Sequence, residues 1–177
     1  MYQSYQGERK PKKLYKYYNK NQIELVLEKS RSNQRDYLIM LTLWRTGMRV
    51  SELTKLKKKD LGEVITIRQG KGSKDRIIPF HPTLKDLLML YSANLNLEDV
   101  LFPITNAQVW NICKRYQGEL KVTPHTFRHS FAVHCLKEGM NVRVLQKILG
   151  HSNLNTTAVY LDLIGEDIKE GYAKIPW

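Results

Sequence analysis

The sequence predicts a mainly α-helical domain with one small antiparallel β-sheet, an α+β fold. Three observations lead there. Apolar residues recur at helical spacing along most of the chain, two short β-branched runs flank a loop rich in glycine and lysine, and no internal repeat or low-complexity tract interrupts the pattern. With 177 residues, 42% hydrophobic, and only ten Gly and six Pro, the chain can fill one core, so a single globular domain is expected.

Residues 1–19, MYQSYQGERKPKKLYKYYN, mix Lys, Arg, Tyr and Gln without amphipathic period. They read as a basic, partly flexible arm, either touching nucleic acid or acting as a solubilising tail. The domain proper is expected over 20–177. From Asn21 the pattern is helical, through Ile23, Leu25, Val26 and Leu27. The polar turn SRSNQRD follows, then YLIMLTLW as a buried helix that stops at Gly47.

A third helix is expected in MRVSELTKL. VITIR (64–68) and RIIPF (76–80) read as two strands of a hairpin around QGKGSKD. HPTLKDLLMLYSA resumes helical spacing, and NAQVWNICKRYQ (106–117) reads as a further helix with Asn106 as N-cap. Pro124 opens the next helix, HTFRHSFAVHCLKEG, which closes at Gly139. VRVLQKILG stops at Gly150, and NTTAVYLDLI starts another helix capped by Asn155 or Thr156.

Charge narrows the class of partner. The 29 Lys+Arg against 17 Asp+Glu give a formal net charge of +12, which favours a polyanion such as nucleic acid or an acidic membrane surface. The excess is lopsided: residues 1–90 carry 20 basic and 9 acidic side chains, residues 91–177 only 9 and 8. Cys113 and Cys135 are too few and too unpatterned for a disulfide scaffold, so a reducing, cytoplasmic setting is expected. The longest mainly apolar run, YLIMLTLW, is too short to span a bilayer, and no membrane partner is expected.

HTFRHSF (125–131) concentrates chemistry. On a helix His125 lies three residues from Arg128 and four from His129, so all three can share a face. A metal site would recruit His134 or Cys135, but no Cys-x-x-Cys or His-Glu-x-x-His spacing completes one. A phosphate site makes better sense of Arg128, because guanidinium grips phosphate oxygens through two parallel hydrogen bonds. The bland alternative is a solvated Arg-His surface.

Two further stretches add to the phosphate reading. In TGMRVSEL (46–53) Arg49 follows a helix-ending Thr-Gly, with Glu52 three residues on, placed to hold a neighbouring helix or a functional side chain. In LGHSNLNTTAVY (149–160) His151 follows the Gly150 stop and Tyr160 lies one turn into a new helix.

Together with GKGSKDRIIPF, these stretches resemble the catalytic domain of the tyrosine recombinases, the integrase and Xer-type site-specific recombinases. The resemblance spans roughly residues 20–163 in several ordered motifs. It implies that Arg49, Lys71, His125, Arg128, His151 and the nucleophile Tyr160 form the catalytic set, with Glu52 in support. Lys74 shares the loop with Lys71, which is preferred because it follows the strand-ending Gly70. Lys57, Lys58, Lys59, Lys74 and Arg76 are candidate DNA contacts, with a solvated turn as the alternative for Lys57–Lys59. His81, His129 and His134 match no essential family position and are expected to serve packing or surface. Tyr172 is a second, less well placed tyrosine.

The resemblance implies a chemistry these residue types suit. A DNA phosphodiester gathers negative charge in its transition state, and preorganised donors such as Arg49 and Arg128 are typically worth about 3–4 kcal/mol apiece when removed. A phenol is roughly 0.1% ionised at neutral pH, so Tyr160 needs help of about 4 kcal/mol. His125 is expected to assist proton transfer, His151 to hydrogen-bond the phosphate, and Lys71 to protonate the departing 5′-oxygen. The products would be a 3′-phosphotyrosyl bond and a 5′-hydroxyl, resealed without ATP, a metal or another cofactor.

The family normally places a separate helical core-binding domain ahead of the catalytic one. Either this is an isolated catalytic domain, or the arm 1–19 supplies a reduced substitute. The expected partner is double-stranded DNA in the nucleoid, engaged by a homotetramer that is monomeric in solution. Two rivals stand beside the recombinase: a type IB topoisomerase-like enzyme with little sequence demand, and a DNA-binding module that forms no covalent adduct.

Overall fold

The computed structural model describes residues 16–68, 75–150 and Tyr160. Seven helices and one hairpin run in the order α1 (Lys20–Lys29), α2 (Gln34–Thr46), α3 (Val50–Leu53), β1 (Val64–Ile67), β2 (Arg76–Pro79), α4 (Pro82–Tyr91), α5 (Asn106–Tyr116), α6 (Pro124–Lys137) and α7 (Val142–Leu149) among the described residues. A single 3-10 turn, Lys58–Asp60, precedes the hairpin. The predicted fold class is the observed one.

α2 is the central post. Leu38, Ile39, Met40, Leu43 and Trp44 are all at most 1% exposed, and each such side chain contributes roughly 1.5–3 kcal/mol by leaving water. α2 packs most extensively against α6, which buries Phe127, Phe131, Ala132 and Val133 in the same core. Gly47 ends α2 in the left-handed conformation (φ 60°) and lies so close to α6 and α7 that an added Cβ would stand 2.3 Å from Phe131 and 2.9 Å from Leu149. The three elements therefore meet where α2 stops.

The two strands pair antiparallel, from Val64 opposite Pro79 to Ile67 opposite Arg76. Ile65, Ile67 and Ile78 bury the inner face, and β2 also packs on α7. The hairpin thus carries Arg76 to the end of α7.

Several local expectations are corrected. α3 is a single turn of four residues, shorter than the run MRVSELTKL promised. Thr105, not Asn106, caps α5: its hydroxyl accepts the Gln108 N–H while Gln108 reaches back to the Thr105 N–H. At the other end, residues 16–19 of the expected arm are described and do not all stand free. Tyr18 is buried, its N–H donating to Ser130 Oγ at 2.8 Å and its hydroxyl accepting from the Lys121 N–H, while Asn19 caps α1. Most of the helix expected around Tyr160 lies outside the described residues, although Tyr160 itself is helical. Among the described residues no helix is long and apolar enough to cross a membrane.

Candidate active site

The site is built on the end of α7. The last carbonyls of a helix have no partner inside it and carry the negative pole of its dipole, so they attract cations. Here three successive carbonyls each receive a different arginine. Ile148 accepts from Arg76 Nε at 2.8 Å, Leu149 from Arg128 Nη2 at 2.9 Å, and Gly150 from Arg49 Nη2 at 3.1 Å. Gly150 takes φ 66°, a conformation that L side chains rarely adopt, and a Cβ there would sit 2.8 Å from Arg76 Cδ.

Arg128 comes from α6 and is only 5% exposed. Its Nη1 donates to the Gly47 carbonyl at 2.7 Å, so one guanidinium ties the end of α2 to the end of α7. Burial, with help from the nearby Arg49, pushes its pKa down to about 10, against the pull of Glu52 and Tyr160. It stays cationic at neutral pH. The two backbone bonds engage two of the five N–H donors a guanidinium carries.

Glu52 supplies the counter-charge. Its carboxylate takes Arg76 Nη1 and Nη2 at 2.8 Å each, Arg49 Nη1 at 3.0 Å, and the Arg49 backbone N–H at 2.7 Å. Burial would raise its pKa, but the hydrogen bonds from Arg76 and Arg49 outweigh that and leave it below the ordinary carboxylate value. Among the described residues, three guanidiniums against one carboxylate leave the cluster short of negative charge, a setting that favours an anion such as phosphate.

Tyr160 enters beside this cluster and is 2% exposed. Its hydroxyl lies 2.7 Å from His129 Nδ1. His129 stacks on His125 (ring centroids 6.5 Å), which meets the edge of Trp110 at 5.9 Å. His125 itself is exposed. Arg49 also lines a basic cleft of about 440 Å³ with Lys55, Lys57, Lys59 and Arg68, against the carboxylates of Glu52 and Asp60.

The structure thus gathers Arg49, Glu52, Arg128 and Tyr160, with His129 against the Tyr160 hydroxyl and His125 stacked on His129. Lys71, Lys74 and His151 lie outside the described residues, as does Tyr172. Arg76, expected as a DNA contact, is instead internal: its side chain is 8% exposed and bound to Glu52 and Ile148. Lys58 Nζ donates to the carbonyls of Ala93 and Leu95, whereas Lys57 and Lys59 both pair with the exposed Glu98.

His129, expected to serve packing or surface, is half-buried against the Tyr160 hydroxyl. The sequence showed only that, four residues after His125, it shares that residue's face of α6; its partner Tyr160 lies 31 residues on.

Residues 16–165 match the phage integrase family. The chain belongs to the phage integrase family. Among its phage integrase relatives is a tyrosine recombinase of Pseudothermotoga lettingae, 41% identical over 160 residues, covering 83% of this chain and 56% of the relative. The crystal structure of XerA recombinase superposes with a TM-score of 0.80 at 27% identity, over 96% of this chain and 67% of that one. The XerH site-specific recombinase bound to its difH substrate, in a pre-cleavage complex, gives 0.68 at 26% identity, over 84% of this chain and 50% of that one. The chain therefore spans between half and two thirds of the length of these phage integrase family members.

Proposed function

We propose that this chain is the catalytic domain of a site-specific tyrosine recombinase, cutting duplex DNA and rejoining it through a 3′-phosphotyrosyl bond. The observation that carries the reading is the convergence of Arg49, Arg76 and Arg128 on the end of α7, with Glu52 as their counter-charge among the described residues, beside the buried Tyr160. Family membership and the likeness to a DNA-bound XerH support the same reading.

In this scheme Arg49 and Arg128 donate to the non-bridging oxygens of the scissile phosphate, and Arg76 with Glu52 fixes them from behind. The Tyr160 oxygen attacks phosphorus, and its proton leaves to solvent water with the help of the exposed His125. The bond from phosphorus to the 5′-oxygen breaks, and that oxygen takes a proton from Lys71. His151 steadies the phosphate. Attack by another strand's 5′-hydroxyl on the phosphotyrosyl bond reverses the step. Residues 16–177 form this catalytic unit, since Tyr18 and Asn19 are tied into it, and residues 1–15 a basic arm along the DNA, with four copies assembling on their target in the nucleoid. Lys57 and Lys59 meet the phosphodiester backbone once Glu98 releases them.

The test uses a library of nicked duplexes with randomised sequence around the nick, incubated with the full chain and resolved on a denaturing gel. A covalent adduct enriched for one sequence, unchanged by EDTA and absent from Tyr160→Phe, is the expected result. Adducts without sequence enrichment would replace this reading with a topoisomerase-like one. Salt-sensitive binding with no adduct would reduce the chain to a DNA-binding module.

A further inference from the structure

His129 Nδ1 and the Tyr160 hydroxyl are 2.7 Å apart, a distance at which one of them must donate. Burial comes first, followed by the charges of His125 and Arg128, in pushing the His129 imidazole down to about 4, so it is neutral at neutral pH. A neutral imidazole has one accepting nitrogen, and a phenol has one O–H to give. The arrangement that suits both partners has Tyr160 donating to Nδ1, with the imidazole proton on Nε2.

The His129 ring is also held in place. It follows Arg128 on α6, whose guanidinium is anchored to Gly47 and Leu149. One ring face stacks on His125, which meets the edge of Trp110. The Tyr160 ring approaches it at 5.7 Å between centroids, tilted by 51°. Trp110, His125, His129 and Tyr160 thus form a continuous line of rings from the exposed face of α5 to the buried hydroxyl.

We propose that His129 is a positioning residue for the Tyr160 nucleophile: by accepting the phenolic hydrogen bond at Nδ1, it sets the direction in which the oxygen presents its lone pairs to the phosphate. This rests on the reading of Tyr160 as the nucleophile. The role is orientation and not proton removal, because so weakly basic an imidazole is a poor resting place for a phenol's proton.

The contact predicts which substitutions succeed. The amide oxygen of Asn reaches about as far as Nδ1 and accepts a hydrogen bond, whereas Phe fills the ring's space and accepts none. With the duplexes recovered from the randomised library, adduct formation by the full chain is measured at saturating DNA, alongside half-saturation.

His129→Phe should lower the rate at saturation about 100-fold, the scale of an ångström-sized misplacement of a reacting group, with half-saturation unchanged. His129→Asn should recover most of that loss. A rate unimpaired in His129→Phe, or His129→Asn as slow as His129→Phe, would overturn the proposal. A second measurement needs no DNA: nitrogen-15 spectra of the imidazole should show the Nε2–H tautomer and an Nδ1 resonance that moves in Tyr160→Phe, whereas an Nδ1–H tautomer would overturn it. Wild-type protein that forms no adduct with any duplex overturns the recombinase reading and this proposal together. Wild-type adduct with an unimpaired His129→Phe overturns this proposal alone.

Discussion

Glu52 holds Arg76 by two parallel hydrogen bonds, Nη1 to Oε1 and Nη2 to Oε2, both 2.8 Å. The same carboxylate holds Arg49, so removing its charge leaves three guanidiniums facing the end of α7 with no anion among them. Glu52→Gln should destabilise the fold by about 3–5 kcal/mol, the cost of stripping one partner from a buried ion pair. The effect should also follow pH. Because the folded-state pKa of Glu52 lies below the ordinary 4.5, its stabilisation is fully present above that value and is lost as pH falls through the lower folded one. Thermal midpoints should decline below pH 4.5 in the wild type and less steeply in Glu52→Gln. Glu98, held at about 2 by Lys59 and Lys57, titrates in the same acid range, so the comparison is best made in a Glu98→Gln background.

Gly150 should not tolerate even a methyl group. Gly150→Ala places an L residue at φ 66°, at a cost of roughly 1–2 kcal/mol, and drives its Cβ against Arg76, which Glu52 prevents from yielding. Chemical denaturation should report at least that loss. Adduct formation should fall with it, because the Gly150 carbonyl carries Arg49.

Arg128→Lys is expected to fail although it keeps the positive charge. An ammonium is a point donor and cannot bridge the Gly47 and Leu149 carbonyls that the guanidinium fork spans. Adduct formation should drop about 10²–10³-fold, the usual scale for losing one donor to a transition-state oxyanion. Circular dichroism melting of the same variant would register the loosened junction between α2 and α7.

Glu98 should oppose DNA binding. Its carboxylate neutralises Lys57 and Lys59, two of the residues lining the basic cleft, whose point charges would otherwise attract phosphates. Glu98→Gln should tighten binding to any duplex and steepen the dependence of affinity on salt by about 1–2 in the log–log slope, measured by fluorescence anisotropy.

Much of this fold could be read from the residues alone. Gly47 and Gly150 mark helix stops because only glycine takes a positive φ without strain, and the β-branched runs around Ile65 and Ile78 mark the strands. Thr105 and Asn106 are both competent caps one residue apart, and only the formed turn decides between them.

The site was legible where its members share one local motif, as His125 and Arg128 do. Arg76 was not, because its partners, Glu52 and the end of α7, lie 24 residues before it and 72 after it. His129 acquires its meaning only once Tyr160, 31 residues on, folds back against it.

The double anchorage of Arg128 makes one side chain hold the ends of α2 and α7 together and, on the proposed mechanism, also face the phosphate. If the proposed chemistry holds, a descendant that no longer cuts is expected to lose Tyr160 before Arg128, which also holds the junction. A relative that keeps Arg128 but lacks Tyr160 would therefore be a retired enzyme with sound masonry, whereas one that has lost Arg128 must have rebuilt the junction some other way.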